Sequence, residues 1–251
     1  MIKKYAVPAA AVLCGAIAAF LRTRELAEAY DEKGLPIAGS FLTIALAVFV
    51  LLFIAASVIL TYVIKADKSG DGFMRLFSGT PAETVPTVFF GAAASVCGAL
   101  IAISNVGGTV GEMIFGFGSL AAGLSMLVSE LLITGKKNER ASALASSAAA
   151  AYFTYAMAFT YSRYAANPSI MLYGWKCAAP GLAAIFFVYS AGYAFKKPAP
   201  KFTLVFGLLS IVLLILTAPE TEGVPLALMH IFTALLIAGR LGRLMGSLNK
   251  N

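Results

Sequence analysis

The 251-residue chain predicts an all-α, polytopic helical membrane protein with about eight transmembrane helices, and three observations carry that expectation. Hydrophobic residues make up 60% of the sequence and charged residues only 12%, whereas about 25% is usual for a soluble domain. The apolar residues form long continuous runs and not the two-residue alternation of barrel strands, so each crossing has to be a helix that satisfies its own backbone. Most Lys and Arg fall in alternate gaps between the runs, as retention of positive charge on one face of a membrane requires.

The first run, Tyr5 to Leu21, follows Lys3 and Lys4. Roughly 17 to 25 residues cross a bilayer, so its length suits a retained span, although Ala16-Ile17-Ala18 imitates a signal-peptide cleavage site. The expected spans are 5–22, 38–64, 85–104, 113–135, 141–162, 177–195, 202–218 and 224–241, the second long enough to tilt. Residues 1–251 thus read as a single transmembrane domain without a soluble domain, and only the outer loop 23–37 and the inner loop 65–84 exceed a simple turn. In the outer loop, Leu26, Ala29 and Tyr30 recur at helical spacing before Gly34 and Pro36, which suits a short surface helix that either caps a cavity or serves as a solvated linker. In the inner loop, Ser69-Gly70-Asp71-Gly72, Gly79 and Pro81 signal a flexible connection. Phe73, Met74, Leu76 and Phe77 around Arg75 suit the membrane interface.

With the N-terminus in the cytoplasm, fourteen of the 19 basic residues lie inside: Lys3, Lys4, Lys65, Lys68, Arg75, Lys136, Lys137, Arg140, Lys196, Lys197, Lys201, Arg240, Arg243 and Lys250. Five lie outside: Arg22, Arg24, Lys33, Arg163 and Lys176. The expected localisation is therefore integral to the plasma (inner) membrane, with both termini cytoplasmic. Tyr161, Tyr164, Tyr173 and Trp175 fall where an outer aromatic belt would sit. Nucleic acid is not an expected partner of this +7 chain, because its basic residues form short clusters and no continuous patch.

Small residues four apart mark helix contact faces: Ala11, Gly15 and Ala19; Gly91, Ser95 and Ala99; Ala94, Gly98 and Ala102; Ala141, Ala145 and Ala149; and Ser142, Ser146 and Ala150. Pro8, Pro86, Pro180 and Pro225 are expected near span ends, which counts against a carrier built on helices broken at mid-membrane.

Ionisable side chains within a span are costly and functional by default, which singles out Glu130 and His230. Glu130 is either a proton or cation site near the inner mouth or an interfacial carboxylate near Lys136, Lys137 and Arg140. His230 either titrates or makes a hydrogen bond between helices. At 1.5 Å per residue they lie about 26 Å and about 9 Å from the outer surface, too far apart for a direct pair. Tyr152, Tyr155 and Phe159 form an aromatic stripe that suits a cavity wall, though such a stripe, like Phe186, Tyr189 and Tyr193, more often packs. Asn105 belongs to the glycine-rich segment from Ser104 to Gly111, which fits an anion nest, a re-entrant loop or a plain tight turn. Glu112 and Arg163 should emerge at one level of an antiparallel hairpin and form a structural ion pair.

One His and three dispersed cysteines indicate no metal site and no cofactor, and no nucleophile–base constellation marks catalytic residues. The expected function is transport of a small molecule or ion across the lipid bilayer. A non-catalytic assembly subunit or sensor is the alternative, and an intramembrane enzyme comes third.

Overall fold

Each apolar run has to close its own hydrogen bonds in lipid, so helix dominates the chain. The computed structural model describes residues 2–31, 35, 37, 39–63, 73–136, 138–166 and 170–248. Within them lie α1 (Ile2–Glu28), α2 (Phe41–Val63), the short α3 (Phe73–Phe77), α4 (Pro81–Ser104), α5 (Val110–Thr134), α6 (Glu139–Tyr164), α7 (Ile170–Gly192), α8 (Pro200–Thr217) and α9 (Val224–Leu248). Seven of the eight long helices have the length and apolar composition to cross a membrane. The eighth, α6, is 26 residues long, is rich in Ala and Ser, and packs along both α5 and α7. The protein is thus a polytopic helical membrane protein.

Local sequence sets the helix ends. Thr109 starts α5 with a capping box, its hydroxyl accepting from Glu112 N at 3.3 Å while Glu112 Oε2 accepts from Thr109 N at 2.8 Å. Glu83 folds back on Thr80 N in the same way at the start of α4, and Asn138 Oδ1 accepts from Ala141 N at 3.1 Å to open α6.

Four boundaries differ from the sequence expectation, each for a physical reason. The helical spacing in the outer loop is a continuation of α1 to Glu28 and not a separate surface helix. Ile37 N then donates to Ala29 O, and Gly34 and Pro36 lie outside the described residues. Phe73, Leu76 and Phe77 of α3 are buried against protein and not in the membrane interface; the Phe77 ring meets Tyr193 edge-on at 5.4 Å. The rest of that loop's expected flexible turn, residues 69–72, lies outside the described residues. Helix α7 begins at Ile170, seven residues ahead of the expected start, which makes Pro180 its eleventh residue and places it in mid-helix. Helix α9 runs on to Leu248, so Arg240 and Arg243 belong to the helix and not to a loop.

Helices α4, α5, α6, α7, α8 and α9 close a ring in which each packs on the next and α9 returns to α4. Helix α1 lies against α8 and α9, and α2 against α1 and α8. The small-residue faces do much of this packing: a Cβ on Gly98 would lie 2.5 Å from Ser119 O, one on Gly123 2.5 Å from Ser95 Cα, and one on Gly15 3.0 Å from Ile215 Cβ. Helix α8, apolar on every side, is buried along nearly its whole length. The equally apolar α2 exposes Phe41, Ile44, Leu51, Leu52 and Ile59 on a peripheral face that suits lipid.

Enlarging the α4–α5 contact overpacks it: Gly98→Val and Gly123→Val are each expected to lose about 1–3 kcal/mol, read as a lower thermal midpoint in nanodiscs. Gly174→Ala, where an added Cβ meets nothing within 4 Å, should melt like the parent. Equal melting of all three variants would remove close helix approach as a determinant of this bundle.

Candidate functional site

The helix directions bring Glu112, Arg163 and Glu222 to one end of the bundle and Lys4, Glu83 and Arg243 to the other. A cavity of 290 Å³ opens inside the ring at the first end. Its walls are mostly aromatic and aliphatic, with Phe115 from α5, Tyr152, Phe153 and Phe159 from α6, and Leu226 and Met229 from α9. The Phe115 ring stacks on Phe159 at 5.0 Å and lies 5.9 Å from Tyr152, so two members of the α6 stripe, Tyr152 and Phe159, line the cavity, braced by α5, while the third, Tyr155, does not.

Polar groups enter this wall at a few points. Asn105 closes α4, its Nδ2 donating to Ile101 O at 2.8 Å, in a plain five-residue turn through Gly107, which holds φ +83°. His230 sits six residues, about 9 Å, along α9 from Val224. Thr217 Oγ1 donates to Leu213 O at 2.9 Å and lies 3.3 Å from His230 Nδ1. The His230 ring lines the cavity. Pro180, also in the wall, has no N–H to offer the carbonyl of Lys176 one turn before it. The expectation that Pro180 lies near a span end is thereby corrected: the helix is continuous and runs outward through Trp175 and Lys176, residues whose polarity had suggested a span end.

The mouth is charged. Arg163 Nη1 meets Glu222 Oε2 at 2.8 Å, and Tyr164 OH donates to Glu222 Oε1 at 2.7 Å. Glu220 is gripped from outside the ring by Arg22, Nε to Oε1 at 2.6 Å and Nη2 to Oε2 at 3.0 Å. Arg22 is fully buried and also holds Glu25 at 2.7 Å and Tyr30 OH at 3.2 Å. Burial raises the pKa of Tyr30, which keeps it a neutral phenol able to accept from Arg22. The expected Glu112–Arg163 pair does not form in this structure. Arg163 turns to Glu222, and Glu112 is spent on capping α5, although both charges do lie at the same end.

The other half of the ring interior is closed by a buried ion cluster. Glu130 is fully buried, with Arg240 Nε on Oε1 at 2.5 Å and Arg243 Nη2 on Oε2 at 2.7 Å. Thr87 donates to Oε2 at 2.6 Å and accepts from Arg243 Nη1 at 2.7 Å. Arg240 continues to Ser129 Oγ at 2.8 Å and Ser146 Oγ at 3.0 Å, and its guanidinium lies 5.5 Å from the Phe187 ring centroid. Ser129 Oγ lies 3.0 Å from both Ser142 Oγ and Ser146 Oγ. Lys4 pairs with Glu83 next to the cluster, and Arg243 Nη1 reaches Glu83 O at 3.3 Å.

The sequence-selected residues therefore separate into two groups. Asn105, Tyr152 and His230 come together in the cavity. Glu130 lies in the sealed half, neither interfacial nor beside Lys136 and Arg140, while Tyr155 anchors α6 to α5 by donating to Gly111 O at 3.0 Å. Arg240 and Arg243 escaped notice because they served as loop charges in the orientation tally. Their spacing of three, on one helix face with Glu130 buried opposite, was the available signal. No protein-family model matches the chain, and neither the curated proteins nor the solved structures hold a match to it.

Glu130→Ala leaves two guanidinium groups buried against no carboxylate and should cost about 3–5 kcal/mol, seen as a large fall in thermal midpoint. Breaking the exposed Arg24–Glu28 pair by Glu28→Ala should change it little. Similar melting of the two variants would show that the cluster is not a structural closure.

Proposed function

We propose that the protein is a transporter of a small organic solute and that the cavity within the α4–α9 ring is its substrate site. The observation that carries this reading is the pairing of a cavity open at one end with a polar, ion-paired closure at the other, both inside one helix ring. Alternating access requires a site that communicates with one side at a time. The open end supplies one such state, and rearrangement of the Glu130 cluster would supply the other. Pro180 supports the reading, since a helix lacking one backbone bond in the cavity wall can bend there at low cost.

The alternative, a non-catalytic subunit or sensor, drew its motive from a scarcity of charge within the membrane. Glu130, Arg240, Arg243, Arg22 and Glu25 are all buried in the bundle, which weakens that motive. We further assign both termini to the cytoplasm of a plasma (inner) membrane. Taking the buried Arg240 and Arg243 from the fourteen inner charges, and Arg22 from the five outer ones, leaves twelve against four, so the bias persists. The cavity then faces outward.

Two measurements test these assignments. Reconstituted protein should carry at least one solute from a panel of ions and metabolites, and Ala156→Trp, which fills the cavity from its α6 wall, should reduce that flux at least about tenfold. Glu130→Gln, which weakens the closure, should alter it as well. Absence of flux for every solute would shift the assignment to the subunit or sensor. A cysteine placed at exposed Glu222 should react with a membrane-impermeant maleimide in intact cells; labelling only after lysis would invert the orientation.

A further inference from the structure

We propose that the solute is a small organic monocarboxylate with an aromatic or branched apolar body, its carboxylate held at Lys176 and its body against Phe115, Tyr152 and Phe159. The proposal rests on reading the cavity as the substrate site. It starts from which charges around the cavity are already committed. Four charged side chains reach the wall: Arg163, Lys176, Glu220 and Glu222. Arg163 and Glu222 neutralise each other, with Tyr164 OH adding a second bond to Glu222. Glu220 faces Arg22 through two parallel bonds, the strongest form of carboxylate capture, and has no free charge to offer a ligand. Lys176 alone has no carboxylate partner among the described residues. Its Nζ rests 4.9 Å from the Tyr164 ring centroid, and Tyr164 is in turn stacked on Tyr173.

An ammonium held on an aromatic face retains donors for an acceptor entering from the cavity. A ligand anion completes this site, whereas a ligand cation would meet no unpaired carboxylate. His230 is already engaged through Nδ1 with Thr217 Oγ1 at 3.3 Å and lies deeper than the charged mouth. Anionic recognition is therefore directed to the mouth, at Lys176. Deeper in, the wall is predominantly apolar and rings stand on two sides, which suits a flat or branched hydrocarbon body and not a sugar or an inorganic ion.

The test is a charge series on one body, titrated calorimetrically into the full-length protein in nanodiscs: 3-phenylpropionate, 3-phenylpropanol and 3-phenylpropylamine, with acetate as the head group alone. The carboxylate should bind at least about tenfold more tightly than the alcohol or the amine, and acetate should give no measurable heat. Lys176→Gln should erase the preference for the carboxylate over the alcohol, and Lys176→Arg should retain it. An amine that binds as well as the acid, acetate that binds as well as phenylpropionate, or a preference that survives Lys176→Gln would each overturn the proposal. The ligand series on the unaltered protein decides independently if a variant fails to fold. Binding of phenylpropionate without flux would count against transport and leave this assignment standing. Flux of a sugar or a cation without carboxylate binding would do the reverse.

Discussion

Everything at the closed end of this bundle depends on one carboxylate, Glu130, held between two guanidinium groups on a single turn of α9. An unpaired charge at that depth would be prohibitive in an apolar bundle, so helices that bring partners to Glu130 have little freedom to slide or rotate. Thr87 fixes α4, Ser129 belongs to α5 itself, Ser146 fixes α6, and the Phe187 ring of α7 covers Arg240. A second cluster at the other end inverts the charge ratio, one arginine to two glutamates, and ties α1 to the turn between α8 and α9 through Arg22, Glu25 and Glu220. The two clusters specify register, while the small-residue faces between them let the helices approach.

The cavity follows from the sizes of side chains along α5 and α6. At the closed end these helices meet through Ser129 of α5, whose hydroxyl lies 3.0 Å from those of Ser142 and Ser146 of α6. At the other end the same two helices meet through Phe115, Tyr152, Tyr155 and Phe159, with ring centroids 5.0 to 6.0 Å apart. Small residues at one end and stacked rings at the other act as a wedge, and a wedge within a closed ring leaves space at its wide end. Volume and sealing are thus two consequences of one size gradient.

Much of this was legible in the sequence. Continuous apolar runs specify helices because lipid permits little else, and the four-residue spacing of Gly98 and its neighbours marks a contact face of α4, which packs on α5. Helix ends were harder to read because polarity was taken for surface. Trp175 and Lys176 lie within α7, where the Lys176 ammonium rests on the Tyr164 ring, and Arg240 and Arg243 lie within α9, where a buried acid satisfies them instead of water. Tertiary position was not legible where apolarity is uniform: α2 and α8 look alike along the chain, yet one faces outward and the other is the most enclosed. Glu112 and Arg163 were assigned to the correct level, but their partners depended on the α8–α9 turn, which brings Glu222 to Arg163 through a contact 59 residues distant in sequence.

Helix α9 connects the two halves of the molecule. His230, Thr233, Ile237 and Arg240 recur at intervals of three and four and therefore share a face directed into the ring. His230 touches the cavity, and Arg240 lies ten residues on, about 15 Å away, bonded to Glu130. Thr233 between them contacts Met126 of α5, the same helix that carries Glu130. A helix is stiff over this distance, so a ligand that displaces or rotates α9 at His230 also moves the guanidinium groups that close the far end. Such a displacement has to exchange hydrogen bonds at Glu130 and cannot deform them gradually, because each bond is short and directional and the groups that make them are buried. The closure is therefore suited to two discrete arrangements, which is the property that the proposed transport would require of it.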